Sequence, residues 1–122
     1  MTDDWFIGAV ERVAEAGRRA CLAIDAAVGA LQVGCEARHA GRPMVEIVDG
    51  LIAAGGREVR VSAADAFRDY ERAVAWMRAD VVRALVDEDG LSLTEAARRL
   101  KISRQVAARL YEARPNGGGN PR

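Results

Sequence analysis

The apolar residues between Phe6 and Gly34 constrain the fold most, because they recur in alternating steps of four and three positions. A second apolar row, which starts at Ala14 and recurs every seven residues, runs beside the first. Such spacing is typical of one wide apolar face on an α-helix. The pattern predicts one long helix from about Asp4 to Arg38, which ends before Pro43.

The predicted helix is long for a chain of this size. About 35 helical residues span about 52 Å, whereas a compact chain of 122 residues has a radius of gyration of about 14 Å. We therefore expect the helix to pack against a second copy; the alternative is a break near Gly29 or Gly34 that folds it onto its own chain. The residues expected at the dimer interface are Phe6, Val10, Val13, Gly17, Ala20, Ile24, Ala27 and Leu31.

The rest of residues 1–90 predicts a helical body. A short amphipathic helix begins after Pro43, and residues 57–61 alternate in a way that predicts an extended connector. A capping-box-like sequence at residues 62–65 begins a third helix that runs to about Asp87. Alanine is abundant and aromatic residues make up 5% of the chain, which favours close-packed helices over a β-sandwich. We predict an all-α fold.

The charge distribution separates the two ends of the chain, although the formal net charge is zero. Residues 1–90 hold eleven arginines and sixteen carboxylates, whereas residues 91–122 hold seven basic and two acidic residues. A basic end on an acidic body is typical of a DNA-reading module. A solvated basic helix without a partner is the alternative explanation.

Residues 91–114 hold two short helix patterns separated by a brief turn. Ser92 and Glu95 form an S-x-x-E capping box for the first helix, and Ser103 is placed to cap the second. Two short helices joined by three or four residues have the geometry of a helix-turn-helix. The side chains expected to face inward are Ala96, Ala97, Leu100, Ile102, Val106 or Ala107, and Leu110.

The same segment resembles the helix-turn-helix units of bacterial transcription regulators and site-specific recombinases, whose pattern is E-A-A-x-x-L-G-[IV]-S-[RP]. Residues 95–104 read EAARRLKISR, and the resemblance covers about 23 of the 122 residues. Lys101 stands where the family prefers glycine, at a position that usually needs a positive φ, which costs about 1 kcal/mol for another residue. Ala107 replaces a bulkier valine. Residues 1–90 show no recognised family pattern.

The resemblance implies a sequence-specific transcription regulator that binds double-stranded DNA as a homodimer. In such proteins the second helix lies in the major groove with its first residues at the base edges. The base-reading residues implied are Arg104, Gln105, Ala108 and Arg109, since arginine can bind guanine and glutamine adenine. The residues implied in contacts with the DNA backbone are Ser92, Thr94, Arg98, Arg99, Lys101 and Ser103.

Two other interpretations of this module remain open. It can dock on a protein, as an adaptor for RNA polymerase does, or bind DNA with little sequence preference, as a nucleoid-associated protein does. A small-molecule effector is also open as a partner. The side chains that could line a pocket for such an effector are aromatic or apolar, but their helical spacing favours simple core packing. They are Trp5, Phe67, Tyr70, Trp76 and Met77.

The sequence does not favour an enzyme, a metal site or a cofactor. His39 is the single histidine, and no serine or cysteine partner for it is identifiable. Cys21 and Cys35 are 14 positions apart on one predicted helix, so they cannot pair within it. We expect both to be buried, and an intersubunit contact is the alternative. No signal peptide or run of about 18 apolar residues is evident. We expect a cytoplasmic protein with a flexible tail at residues 115–122.

Overall fold

The structure is a computed structural model that describes residues 4–113, and its regular structure there is entirely helical. The helices are α1 (Trp5–His39), α2 (Met44–Ala53), α3 (Gly56–Asp87), α4 (Leu93–Leu100) and α5 (Arg104–Glu112). The predicted all-α fold with a long first helix is confirmed. The predicted tail at residues 115–122 lies outside the described part of the chain.

Helix α1 is continuous over 35 residues and passes through Gly29 and Gly34. The predicted single helix from about Asp4 to Arg38 is therefore confirmed, and the alternative, a break at one of these glycines, is excluded. The Asp4 carboxylate begins the helix, since its Oδ1 accepts hydrogen bonds from the backbone N–H groups of Phe6 (2.7 Å) and Ile7 (3.3 Å). Gly41, at φ 87°, lies in the turn that follows α1.

Helix α3 begins at Gly56, six residues before its predicted start, so the predicted connector at residues 57–61 is wrong. Gly55 takes a φ of 87°, and its carbonyl accepts a hydrogen bond from the N–H of Val59 at 3.1 Å. A side chain at Gly56 would place its Cβ 2.8 Å from the Leu51 carbonyl oxygen. These two glycines let the chain leave α2 and enter α3 almost at once.

The chain divides into two compact units. Within the described residues, the first comprises residues 4–13 and 72–113, which include the start of α1, the end of α3, and both α4 and α5. The second comprises residues 14–71, with the rest of α1, all of α2 and the start of α3. In this division α4 and α5 group with the start of α1 and the end of α3, and the predicted boundary at residue 90 stays a prediction.

In the second unit, α1 turns a row of very small residues towards its own chain. These positions follow one another in steps of four and three, are buried or half-buried, and consist of six alanines and one glycine: Ala16, Ala20, Ala23, Ala27, Ala30, Gly34 and Ala37. Small side chains allow neighbouring helices to approach closely. A Cβ placed on Gly34 would meet Leu51 of α2 at 3.2 Å, and one on Gly17 would meet the Tyr70 ring of α3 at 3.6 Å.

The bulkier apolar residues of α1 stay outside. Ile24 is 40% exposed and Leu31 is 66% exposed, whereas Ala20 and Ala27 of the predicted dimer interface are buried or half-buried within the chain. Cys21 and Cys35 are exposed, so the prediction that they are buried is wrong. They lie on the second apolar row, which the alanine row displaces from the inside.

The first unit is also built around alanine. Val82 is the largest fully buried side chain among residues 4–113. The other buried residues of this unit are all alanines: Ala9, Ala79, Ala96, Ala97 and Ala107. Of the other predicted interface residues, Phe6 and Val10 are exposed and Val13 is half-buried. Leu100 is 37% exposed, so its predicted inward position is only partly realised.

Helix α1 is long and apolar enough to meet the criterion for a membrane-spanning helix. By length and composition alone it could cross a membrane, since an 18-residue stretch has a mean hydropathy of 1.4. Only 11% of that stretch is buried within the chain. Core helices and N-terminal signal sequences can meet the same criterion, so the expected cytoplasmic location stays a prediction.

We expect Gly34→Ala to stabilise the protein less than Gly29→Ala, or to destabilise it. Replacing a helical glycine by alanine gains about 0.5–1 kcal/mol where space is available. A Cβ at Gly29 meets nothing within 4 Å, whereas one at Gly34 lies 3.2 Å from Leu51 and 3.3 Å from Ile47. Urea unfolding of the two variants measures the difference. Equal gains would contradict the close packing of α1 on α2.

Candidate nucleic-acid interface

The start of α4 is fixed by the capping box that the sequence predicts. The Glu95 N–H donates to Ser92 Oγ at 3.1 Å, and the Ser92 N–H donates to Glu95 Oε1 at 3.0 Å. Hydrogen bonds from Ser92, and more weakly the charges of Arg98 and Arg99, hold the pKa of the Glu95 carboxyl below its ordinary value. The carboxylate is thereby retained as a capping group at neutral pH.

The turn between α4 and α5 depends on Lys101. This residue takes φ 61° and ψ 43°, and it is the one non-glycine residue with a positive φ within residues 4–113. The N–H of Ile102, the next residue, donates to the Ala97 carbonyl at 3.0 Å. The left-handed conformation expected at this position is confirmed, and it turns the chain sharply out of α4.

Helix α5 starts at Arg104 because Ser103 caps it. Ser103 Oγ accepts a hydrogen bond from the Val106 N–H at 3.0 Å. Ala107 is fully buried and Val106 is half-buried, so Ala107 is the principal inward residue of the two that the sequence offers. Burial of Ala107 fixes which face of α5 points to the solvent.

The four implied base-reading residues share that outward face, since positions i, i+1, i+4 and i+5 lie together on a helix. Arg104, Gln105 and Arg109 are exposed, and Ala108 is half-buried. Arg104 and Gln105 occupy the first turn of α5, directly after its cap. A helix that enters a groove end-on presents this turn first.

The six residues implied in contacts with the DNA backbone are all exposed. They lie at the start of α4, in its last turn and in the turn that leads to α5: Ser92, Thr94, Arg98, Arg99, Lys101 and Ser103. Two of them, Ser92 and Ser103, already accept hydrogen bonds as helix caps. A hydroxyl that accepts a bond keeps its proton for donation, so both can still donate to a phosphate oxygen.

The positive charge of this segment is not neutralised by ion pairs. Residues 91–113 hold five basic side chains and two carboxylates. None of the five lies within 4 Å of a carboxylate oxygen in the described part of the chain, whereas Arg18, Arg19, Arg42, Arg68 and Arg83 all pair with neighbouring carboxylates. The exposed basic groups of α4 and α5 are therefore available to an anionic partner.

Two long-range hydrogen bonds, neither of them predicted from the sequence, hold the end of α5 against α3. Tyr111 donates its hydroxyl proton to Asp87 Oδ1 at 2.8 Å, and the Arg83 guanidinium donates to the Ala113 carbonyl. The bond to Asp87 raises the pKa of Tyr111. No spacing rule links residues 24 or 30 positions apart, so the sequence offers no signal for either contact.

The candidate effector residues fall in both units of the chain. Phe67 and Tyr70 lie with their ring centroids 6.3 Å apart and line an open groove in the second unit. Met77 lines a different cavity of about 230 Å³ in the first unit, together with Leu100, Ile102 and Leu110. The structure thus divides these residues between the two units.

We expect Lys101→Gly to stabilise the protein by about 1 kcal/mol, because glycine takes a positive φ without the steric cost of a Cβ. The control is Lys101→Ala, which removes the same charge but keeps the Cβ. Chemical denaturation of both variants measures the effect. A glycine variant no more stable than the alanine variant would show that the turn is not strained.

Comparison of the chain with models of protein families, with curated proteins and with solved structures finds no match. The resemblance of residues 91–114 to helix-turn-helix units therefore depends on those residues alone, and it stays a prediction.

Proposed function

We propose that the chain is a sequence-specific DNA-binding transcription regulator, in which α4 and α5 form a helix-turn-helix and α5 enters the major groove. The observation that carries the proposal is the position of Arg104 and Gln105. Both are exposed in the first turn of α5, directly after the Ser103 cap. That is where a recognition helix presents the side chains that read bases.

The chemistry of these residues suits base recognition. An arginine can donate two hydrogen bonds to guanine O6 and N7, and a glutamine can bond adenine N6 and N7. Ala108 lies one turn further on the same face, where a small side chain lets the helix sit deep in the groove. Arg109 follows it and can reach either a base or a phosphate.

The surroundings of α5 suit the phosphate backbone. Arg98, Arg99 and Lys101 are exposed near the turn, without an ion pair to a described carboxylate. The hydroxyls of Ser92 and Ser103 mark the N-terminal ends of the two helices, where the helix dipole and unpaired N–H groups favour an anion. These contacts position a duplex without reading its sequence.

The proposed active form is a homodimer. One helix-turn-helix buries little surface and makes few base contacts, so pairs of such modules commonly bind two half-sites about 34 Å apart. Ile24 and Leu31 on α1 expose apolar surface that a second copy can cover.

We expect gel-shift affinity for duplex DNA to fall steeply with salt. Each phosphate that a basic side chain neutralises contributes about −0.9 to the slope of log K against log salt concentration. Random-sequence duplex serves as the reference for specificity. Absence of retardation at low salt would contradict DNA binding and indicate a protein-docking adaptor, whereas equal affinity for every duplex would indicate a nucleoid-type protein.

We expect Gln105→Ala to change the sequence preference of DNA binding and Lys101→Ala to change only its overall affinity. Loss of Gln105 removes a base contact and should relax the preference at one base pair, with a loss of about 1–3 kcal/mol of discrimination. Loss of Lys101 should weaken binding to all sequences alike. Selection from a random duplex pool measures both effects, with Arg12→Ala, an exposed arginine on α1, as the control. An unchanged preference in Gln105→Ala would remove this residue from the reading surface.

A further inference from the structure

The α1 seam is an unpartnered helix face in the second unit, formed by Ala14, Gly17, Cys21, Ile24, Val28 and Leu31. These positions alternate in steps of three and four, which is the spacing of a two-helix seam with knobs-into-holes packing. All are exposed except Gly17, which is half-buried. The seam runs beside the alanine row, which α1 already packs within its own chain, and Gly17 of the seam also approaches the Tyr70 ring of α3.

We infer that a second copy of this chain packs antiparallel on the α1 seam, so that Ala14 faces Leu31 of the partner subunit. In this register Gly17 faces Val28 of the partner subunit, and Cys21 faces Ile24 of the partner subunit. The inference rests on the dimeric form of the proposed regulator, and it adds the interface, its direction and its register.

The sizes of the seam residues select this direction. The first three positions are small (Ala14, Gly17 and Cys21), and the last three are larger (Ile24, Val28 and Leu31). Antiparallel pairing places a small residue against a larger one in every layer, which keeps the spacing of the two helices even. A parallel pair in register would set Gly17 against its own copy and leave a cavity, while Leu31 against its own copy would hold the helices apart.

The charges beside the seam select the same direction. Arg18 and Asp25 are exposed and each follows a seam residue, so they lie at the same edge of the seam. In the antiparallel register Arg18 lies across from Asp25 of the partner subunit, and the two-fold symmetry repeats this pair. In a parallel pair the two groups are about 10 Å apart along the helices. The guanidinium of Arg18 also contacts Glu15 at 2.8 Å and has donors for both carboxylates.

The surface next to the seam has room for the partner helix. Gly17, Cys21 and Ile24 line an open groove of about 630 Å³ together with Phe67 and Tyr70 of α3. Gly17 has no side chain and borders this groove beside the Tyr70 ring, and the register places Val28 of the partner subunit next to it. Phe67 is 46% exposed at its edge and can pack on the incoming helix.

Cysteine cross-linking tests the direction and the register. In a Cys21→Ala, Cys35→Ala background, Ala14→Cys and Leu31→Cys are made as separate variants, and oxidation is followed on non-reducing gels. Residues 14 and 31 are about 25 Å apart on one helix, so neither variant should cross-link alone in an antiparallel dimer. A mixture of the two should give a covalent dimer. Cross-linking of each variant alone would overturn the inference in favour of a parallel pair.

A charge placed on the seam tests the surface itself. We expect Val28→Arg to convert the dimer to a monomer in sedimentation velocity. Val33→Arg, on an exposed valine about 140° around the helix, should leave the dimer intact. Far-UV circular dichroism confirms that both variants keep their helices. A dimeric Val28→Arg protein or a monomeric parent protein would overturn the inference, as would flotation of the parent protein with phosphatidylcholine–phosphatidylglycerol vesicles in place of self-association.

Gel shift with the cross-linked dimer separates the two proposals. A mixed covalent dimer that fails to retard any duplex would refute DNA binding and leave the pairing intact. A chain that retards DNA but does not cross-link in the mixture would refute the pairing and leave DNA binding intact.

Discussion

The fold depends on close contact between helices that present alanine and glycine to one another. In the second unit every inward position of α1 between Ala16 and Ala37 is alanine or glycine. In the first unit Val82 is the largest side chain that is fully buried. Each alanine buries little apolar area, so the interior gains its stability from many close contacts. Gly34 has no room for a larger side chain, since even a methyl group would crowd Leu51 and Ile47.

This choice of core determines what remains on the surface. The apolar residues that are too large for the interior of the second unit lie along the outside of α1, where the proposed partner subunit packs. In the first unit the buried Ala107 sets the rotation of α5 about its axis, which leaves Arg104 and Gln105 exposed. The proposed regulator thus uses one face for self-association and another for DNA, and both follow from which face of each helix carries the alanines.

Local features could be predicted from the sequence, and long-range features could not. The Ser92 cap, the Ser103 cap and the positive φ of Lys101 are set by neighbours within a few residues, and all three were predicted correctly. The inner row of α1 could not be distinguished from the predicted apolar row, because both follow the same four-and-three spacing and share Ala20, Ala27 and Gly34. The alternating pattern around Val59 and Val61 predicted an extended segment where α3 has already begun. The start of α3 is determined by Gly55 and Gly56. The contact between Tyr111 and Asp87 spans 24 residues and has no signature in the sequence.

The most direct test of the central claim is an NMR titration of the full chain with a short duplex selected for binding, followed by backbone amide shifts. The account predicts the largest shifts at the start of α5, around Arg104 and Gln105, with smaller ones at the start of α4 and at Lys101. It predicts no change at Val82 in the core. Shifts confined to α1 or α2, or no shifts at low salt, would contradict the assignment of α5 as the DNA-reading helix.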